Sequence, residues 1–266
     1  MIYGTAWKKE QTQSLVERAI VLGFRSIDTA CQPKHYNEKG VGQGIANALK
    51  KLNLDRSQLF VQTKFTPVNG QDPNTIPYNP NDPLEKQVCD SLEISLKNLQ
   101  TSYIDSLLLH SPIESIQKTL QAYRVLESFV EDGYVKQIGL SNTYDFRFFE
   151  YIYDQAKIKP KVLQNRFYAQ TNYDNELRIF CLDHDITYQS FWSLTANAHI
   201  VNASQTFNLA KKYNKTNEQI FYRFLTQIGI IPLNGTTNEQ HMQLDLQIDS
   251  FTLQDQEILS LQKLLV

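Results

Sequence analysis

The sequence predicts a single-domain (β/α)8 TIM barrel that spans residues 1–266, and three observations lead to this prediction. Short apolar segments alternate with amphipathic segments eight times along the chain, which is the strand-then-helix order of a parallel barrel. The length of 266 residues lies within the range of one such barrel. Hydrophobic residues make up 41% of the chain and charged residues 20%, so it can bury a core without metals or disulfides.

The elements follow one another from the amino terminus. The predicted strands are short apolar segments, at 2–6, 24–29, 59–65, 104–110, 137–142, 162–165, 186–191 and 229–233. The predicted helices have apolar residues at helical spacing, at 10–22, 37–52, 84–99, 114–132, 144–157, 174–184, 203–213 and 216–228. The last helix opens with Thr216 and Gln219 at the spacing of a capping box. In the helix at 114–132, apolar residues fall on one face, which we assign to the core: Ile116, Leu120, Tyr123, Leu126 and Val130.

One connection is unusually long. Residues 66–83 contain five prolines, which predict an ordered, non-helical loop. The loop follows the third predicted strand, on the face where barrels build their sites, so we expect it at the rim of a substrate pocket.

The composition argues against several functional classes. The formal charge is −2, from 26 basic and 28 acidic residues, and no dense Lys/Arg tract occurs, so nucleic acid is not an expected partner. No apolar run approaches the roughly 20 residues of a membrane span, and the start is not a signal peptide. The three cysteines lie far apart, as is typical of reduced thiols in a cytoplasmic protein. The five histidines lack ligand spacing, so we expect no metal site.

Four residues at or just after predicted strand ends form the candidate catalytic set. Asp28, Lys64 and His110 end the second, third and fourth predicted strands, and Tyr36 lies in the loop after Asp28. Strand ends meet on one face of a barrel. A buried Lys64 needs a counter-charge, which Asp28 can supply. A cation beside a phenol lowers its pKa from about 10, so we expect Tyr36 to give a proton to a developing alkoxide near neutral pH.

Each of these residues alone is more often structural, as a cap, a turn or a packed ring. All four together at the strand ends of one alternating pattern favour a catalytic site. In that site His110 would hydrogen-bond the carbonyl oxygen of a substrate.

Six motifs in order then resemble the aldo-keto reductases. They are Gly4-Thr5-Ala6-Trp7, the stretch from Gly23-Phe24-Arg25 to Thr29-Ala30, Tyr36-Asn37-Glu38 with Val41-Gly42, Thr63-Lys64, the stretch from Tyr103-Ile104-Asp105 to His110, and Gly139-Leu140-Ser141-Asn142. The resemblance covers nearly the whole chain. It implies a barrel that reduces aldehydes or ketones to alcohols with NADPH and without metal, with Tyr36 as general acid, Lys64 and Asp28 tuning it, and His110 orienting the substrate.

The resemblance also implies where the cofactor and the substrate bind. Ser141, Asn142 and Gln164 match the residues that hold the nicotinamide carboxamide, and Phe191 replaces the tyrosine that stacks on the nicotinamide. The full set of expected cofactor positions is Gly4, Thr5, Ser141, Asn142, Gln164, Phe191, Ser193, Leu194, Asn234, Thr236 and His241. Trp7, Phe65 and Trp192, with the 66–83 loop, are expected to form the substrate wall.

The sequence departs from the family pattern in three places. The interval from Asp28 to Tyr36 is three residues longer than usual. Leu233 or Asn234, and His241, stand where the family places a lysine and an arginine for the 2′-phosphate, so NADPH is expected with NADH as the alternative. The barrel is expected to lack the usual N-terminal hairpin and the long C-terminal tail, and the loop after His110 is short, which together predict a relatively open pocket. A monomer is the default expectation for the oligomeric state.

Other functions stay open at this point. A cofactor-binding regulatory protein on the same barrel would show little turnover. A Schiff-base aldolase would use Lys64 as its nucleophile, but it has no need of a nicotinamide-binding set. A metal-dependent hydrolase is disfavoured by the histidine spacing. The fold leaves the carbonyl substrate itself undetermined.

Overall fold

A computed structural model of the chain describes residues 1–265, and its eight strands close into a parallel barrel in sequence order. The first strand pairs with both the second and the eighth, which closes the sheet. The (β/α)8 fold and the single domain predicted from the sequence are therefore confirmed. The strands are β1 Ile2–Gly4, β2 Ser26–Asp28, β3 Phe60–Phe65, β4 Ile104–Leu109, β5 Val135–Ser141, β6 Val162–Arg166, β7 Thr187–Phe191 and β8 Ile230–Asn234.

The helices surround the barrel. They are α1 Thr12–Leu22, α2 Glu38–Leu52, α3 Leu84–Leu99, α4 Ile116–Glu131, α5 Phe146–Gln155, α6 Asn175–Asp183, α7 Ala198–Val201, α8 Ser204–Tyr213, α9 Asn217–Gln227, α10 Glu239–Asp245 and α11 Asp255–Gln262. The eight predicted helices agree with eight of these to within a few residues. Three helices were not predicted from the sequence: α7, α10 and α11 are four to eight residues long, too short for a clear helical period.

Local signals in the sequence explain two of the helices. Thr216 accepts from the backbone N–H of Gln219, whose side chain accepts from the backbone N–H of Thr216, so the predicted capping box opens α9. The predicted apolar face of α4 lies on the core, with Leu120, Tyr123 and Leu126 buried. Burying an apolar side chain of this size stabilises the fold by roughly 1.5–3 kcal/mol.

A polar layer fills the barrel axis directly beneath the carboxyl ends of the strands. The side-chain amides of Gln62 and Gln164 donate to Asp28 Oδ1 at 2.8 and 3.0 Å. Both amides also donate to Gln189 Oε1, at 2.7 and 2.9 Å. Because these groups are buried, their mutual hydrogen bonds offset the cost of removing them from water. The layer thus holds one oxygen of the Asp28 carboxylate, Oδ1.

Close backbone approach accounts for one glycine of the sheet. A Cβ on Gly139 of β5 would lie 2.1 Å from the carbonyl oxygen of Val162 in β6. Only glycine allows the two strands to meet at this spacing.

Two expectations concern absences in residues 1–265. In this part of the chain no helix is long and apolar enough to cross a membrane. The same residues contain no group of three or more His, Cys, Asp or Glu side chains arranged to hold a metal ion.

Candidate active site

A cavity of about 750 Å³ opens at the carboxyl ends of the strands. This is the face of a barrel on which active sites are built. The predicted site residues that line it are Asp28, Tyr36, His110, Gly4, Ser141, Asn142, Phe191, Ser193, Leu194, Asn234, Thr236, His241, Trp7 and Trp192. Lys64, Thr5, Gln164 and Phe65 do not line it.

Lys64 lies just beneath the cavity, paired with Asp28. Its Nζ is 2.7 Å from both carboxylate oxygens of Asp28 and 2.8 Å from the carbonyl oxygen of Thr29. The three protons of the ammonium thus each have an acceptor. Lys64 is 1% exposed, and burial lowers its pKa while Asp28 opposes that shift. The pair is a buried ion pair at the base of the site.

Tyr36 stands between this ion pair and His110. Its ring centroid is 5.5 Å from Lys64 Nζ and 5.9 Å from the His110 ring, which it meets edge-on. Within residues 1–265 the Tyr36 hydroxyl makes no hydrogen bond, so it is available to a ligand in the cavity. Burial, and then the charge of Asp28, raise the pKa of Tyr36 above its ordinary value.

The predicted lowering of the Tyr36 pKa is therefore wrong for the ligand-free protein. The ammonium of Lys64 donates its hydrogen bonds to the carboxylate of Asp28 and the carbonyl oxygen of Thr29, and the adjacent carboxylate offsets its positive charge. Burial of the phenol away from water is therefore the main influence on its pKa. With the raised pKa, Tyr36 keeps its proton at neutral pH, which is the protonation state that a general acid needs.

His110 follows β4 and faces Tyr36. Burial lowers the pKa of His110 well below its usual range, and the charges of Lys64 and His35 lower it further. Its Nδ1 lies 2.6 Å from the hydroxyl of Thr66, and its carbonyl oxygen accepts from the side-chain amide of Asn142 at 2.8 Å. The imidazole is accordingly neutral and is held at Nδ1 by Thr66, while Asn142 holds the backbone of His110.

The three residues expected at the nicotinamide carboxamide divide into two groups. Ser141 and Asn142 line the cavity at the end of β5, where Ser141 Oγ donates to the carbonyl oxygen of Gln164 at 2.7 Å. Asn142 has a left-handed φ of 52°, a conformation that asparagine adopts more readily than most residues. The side chain of Gln164 joins the polar layer at the barrel axis instead. Thr5 is also buried, with its hydroxyl on the carbonyl oxygen of Asp28.

Both tryptophans lie at the cavity mouth. Trp7 is 59% exposed and its ring centroid lies 3.8 Å from that of His35. Trp192 is 50% exposed and lies beneath the guanidinium of Arg166, whose central carbon is 4.2 Å from the ring centroid. Arg166 lines the cavity as well and was missed by the sequence analysis. Its position as the last residue of β6 could have indicated a site residue, because the carboxyl ends of the strands form the site in a barrel.

The predicted substrate role of Phe65 is wrong. Phe65 is 1% exposed and packs 5.6 Å from the ring of Tyr78, in the core. Successive side chains of a strand point to opposite faces, so the inward position of Lys64 directs Phe65 outward. The 66–83 loop does not line the cavity either, and it contains a 3₁₀ turn at Val68–Gly70 where no helix was expected.

The cavity continues past Asn234, Thr236 and His241 to the outer helices. There it is lined by Glu218 and Tyr222 of α9 and by Asp245 at the end of α10, all missed by the sequence analysis. Asp245 accepts a hydrogen bond from the side chain of Asn234, and burial raises the pKa of Asp245 to about 6. Lys8, also missed, donates to the carbonyl oxygen of Gly235 across the cavity.

Two bacterial proteins of similar sequence cover most of the chain. An uncharacterized oxidoreductase, YtbE, of Bacillus subtilis is 31% identical over 90% of this chain and 78% of its own length. Glyoxal reductase of the same organism is 30% identical over 94% of this chain and 81% of its own length.

Solved structures agree in fold. An aldo-keto reductase enzyme, MGS-M4, from a Medee basin deep-sea metagenome superposes with a TM-score of 0.84 at 27% identity, over 99% of this chain and 90% of the other. The Bombyx mori aldo-keto reductase AKR2E4, solved in complex with NADP, superposes with a TM-score of 0.83 at 25% identity, over 99% of this chain and 88% of the other. The model of the aldo/keto reductase family matches residues 1–266. With the barrel, the cavity and these matches, the chain belongs to the aldo/keto reductase family.

Proposed function

We propose that this protein, acting as a monomer, reduces aldehydes or ketones to alcohols by hydride transfer from a nicotinamide cofactor, with Tyr36 as general acid. The observation that carries the proposal is the hydroxyl of Tyr36, which has no hydrogen-bond partner among residues 1–265, shares one cavity with His110 and lies near the Lys64–Asp28 pair. Two hydrogen-bonding groups thus converge on the space where a carbonyl oxygen would lie.

The residues that line the cavity fit a dinucleotide. Phe191 offers an aromatic face for a nicotinamide ring, and Ser141 and Asn142 offer polar groups for its carboxamide. Lys8 supplies a positive charge suited to a diphosphate, and the cavity extends to Asn234 at the adenosine end. When bound, the cofactor supplies the hydride. NADPH is the cofactor expected from the family resemblance, with NADH as the alternative, and the NADP complex of the silkworm protein supports this expectation.

Tyr36 and His110 divide the work at the oxygen. A neutral His110 hydrogen-bonds the carbonyl oxygen and holds it in line. As a hydride reaches the carbonyl carbon, the oxygen gains charge and takes the proton of Tyr36. The product is an alcohol, and Tyr36 is left to regain a proton. The raised pKa of Tyr36 ensures that the proton is present at neutral pH.

The substrate is proposed to be a reactive aldehyde or ketone. The similar bacterial protein named glyoxal reductase supports small dicarbonyls as the first compounds to test. We would assay glyoxal, methylglyoxal and a reactive aromatic aldehyde, each with NADPH and with NADH.

The decisive variant is Tyr36→Phe, which removes only the hydroxyl. We expect kcat to fall by roughly 10²–10⁴-fold, while the Kd of the cofactor measured by calorimetry stays within about twofold, since the ring remains. Tyr134→Phe, at a half-exposed tyrosine outside the cavity, is the matched control and should keep full activity. Wild-type rates in Tyr36→Phe would remove Tyr36 from this role. Tight cofactor binding by the wild type with no turnover of the whole panel would favour the alternative, a cofactor-binding regulatory protein.

A further inference from the structure

Thr66, the first residue after β3, is held so that its hydroxyl points at His110. The residue is 2% exposed, and Oγ1 lies 2.6 Å from His110 Nδ1. Its carbonyl oxygen accepts from Gln71 Nε2 at 3.2 Å and from the hydroxyl of Tyr78 at 2.6 Å. Its methyl group packs against Gly70, where a Cβ would come within 2.8 Å of Thr66 Cγ2. With the backbone and the methyl group fixed, the direction of the hydroxyl is also fixed.

The hydroxyl restricts which ring nitrogen of His110 carries the proton. A neutral imidazole has one N–H and one acceptor nitrogen. If Nδ1 carried the proton, Thr66 Oγ1 would accept it, and the buried hydroxyl proton would have no acceptor among residues 1–265. Leaving a buried donor unpaired is costly. If Thr66 donates to Nδ1, the buried hydroxyl proton has its acceptor, and Nε2 carries the N–H.

We infer that Thr66 is a positioning residue that fixes the Nε2–H tautomer of His110 and turns that N–H toward the cavity. The inference deepens the proposed function, on which its consequence for catalysis rests. It also assigns a role to the 66–83 loop, which contributes Gly70, Gln71 and Tyr78 to hold Thr66.

The tautomer matters because both groups above the Lys64–Asp28 pair would then be donors. The Nε2–H of His110 and the O–H of Tyr36 can bind the two lone pairs of one carbonyl oxygen. The opposite tautomer would present a lone pair of Nε2 to that oxygen and repel it as negative charge develops.

The test begins with the tautomer itself. Long-range nitrogen–proton correlation NMR on histidine-labelled protein identifies which nitrogen is protonated, and His110→Asn assigns the signal among the five histidines. We expect the Nε2–H form in the wild type and in Thr66→Ser, which keeps the hydroxyl. In Thr66→Val, which has nearly the same shape without the hydroxyl, we expect a mixture of the two forms.

Kinetics provide the second readout. We expect kcat/KM for the carbonyl substrate to fall roughly 10-fold in Thr66→Val and to stay within about threefold of the wild type in Thr66→Ser. The matched control is Thr206→Val, at a buried threonine of α8 whose hydroxyl donates to the carbonyl oxygen of Ile200, far from the site. It removes the same atoms and should leave the His110 tautomer and kcat/KM unchanged.

The outcomes separate this inference from the proposed function. A wild-type spectrum with the proton on Nδ1 overturns the inference, and this result can be obtained even if Thr66→Val does not fold. A tautomer that Thr66→Val leaves unchanged overturns it as well. If the Nε2–H form is present and depends on Thr66 but no carbonyl is reduced, the inference stands and the proposed function fails.

Discussion

Lys64 and Asp28 form a closed pair: the ammonium reaches both carboxylate oxygens at 2.7 Å, and neither residue is more than 2% exposed. The ammonium also donates a hydrogen bond to the backbone carbonyl oxygen of Thr29, and two glutamine side-chain amides donate to the carboxylate. The pair is therefore a structural unit of the barrel as well as the floor of the candidate site. Removing either member leaves a buried charge without its partner.

The first prediction concerns the stability of this pair. Lys64→Met should lower the free energy of unfolding by roughly 3–5 kcal/mol, because Asp28 stays buried without a counter-charge. The double variant Lys64→Met/Asp28→Asn should lower the free energy of unfolding by clearly less than the sum of the two single variants, since it leaves no buried charge at this site. Urea denaturation of the four proteins at neutral pH measures this coupling. Lys86→Met, at the exposed Lys86–Asp90 pair, is the control and should have little effect. Additive costs at Lys64 and Asp28 would contradict the prediction.

The second prediction concerns the pH dependence of reduction. The raised pKa of Tyr36 keeps the phenol protonated well above neutral pH, and the lowered pKa of His110 keeps the imidazole neutral well below it. The profile of kcat/KM, which reports the free enzyme, should be flat from about pH 6.5 to about pH 9.5, inside the ordinary values of histidine and tyrosine. A decline with a midpoint near pH 8 that Tyr36→Phe abolishes would show that the phenol has the lowered pKa predicted from the sequence and would contradict this prediction.

The third prediction concerns Asp245. Its folded-state pKa of about 6 exceeds the ordinary value of 3.8, so the native state binds the proton more tightly than the unfolded chain. Stability from this residue is present below about pH 4 and is lost as the pH rises through about 6. Asp245→Asn should therefore raise the free energy of unfolding at pH 7.5 by up to about 3 kcal/mol, from 1.36 kcal/mol per pKa unit, and should have little effect near pH 4. Asp132→Asn, at an exposed aspartate, serves as control. An equal effect of Asp245→Asn at both pH values would be inconsistent with burial of an ionised carboxylate.

The fourth prediction concerns the choice between the two cofactors. Glu218 and Asp245 line the outer end of the cavity beside Asn234 and His241, the residues expected at the adenosine end. Two carboxylates there repel a 2′-phosphate more than a ribose hydroxyl. In Glu218→Gln/Asp245→Asn, the affinity for NADPH relative to NADH should rise by roughly 10-fold, which corresponds to about 1.4 kcal/mol. Calorimetry with 2′-phosphorylated and unphosphorylated adenosine 5′-phosphate isolates this end of the site. An unchanged ratio would place the phosphate elsewhere.

The barrel was predictable from the sequence because each strand is a compact apolar run with a clear helical segment after it. Asp28, Lys64 and His110 were predictable as neighbours because strand ends share one face of a barrel. The outer cavity residues Glu218, Tyr222 and Asp245 were not, since they reach the site from helices whose placement no local pattern encodes. Phe65 was wrongly assigned to the substrate wall: because side chains alternate along a strand, an inward Lys64 requires its neighbour Phe65 to point away from the barrel axis. The direction of the shift in the Tyr36 pKa depends on which groups accept the hydrogen bonds of Lys64, and only the three-dimensional contacts reveal those groups.

The position of Trp7 and Trp192 has a practical consequence. These are the only two tryptophans of the chain, and both stand at the mouth of the same cavity. The entire intrinsic tryptophan emission of the protein therefore originates beside the proposed nicotinamide position, and a reduced nicotinamide absorbs in the range where tryptophan emits. Quenching of that emission gives an internal, label-free signal for following cofactor occupancy in the unmodified protein.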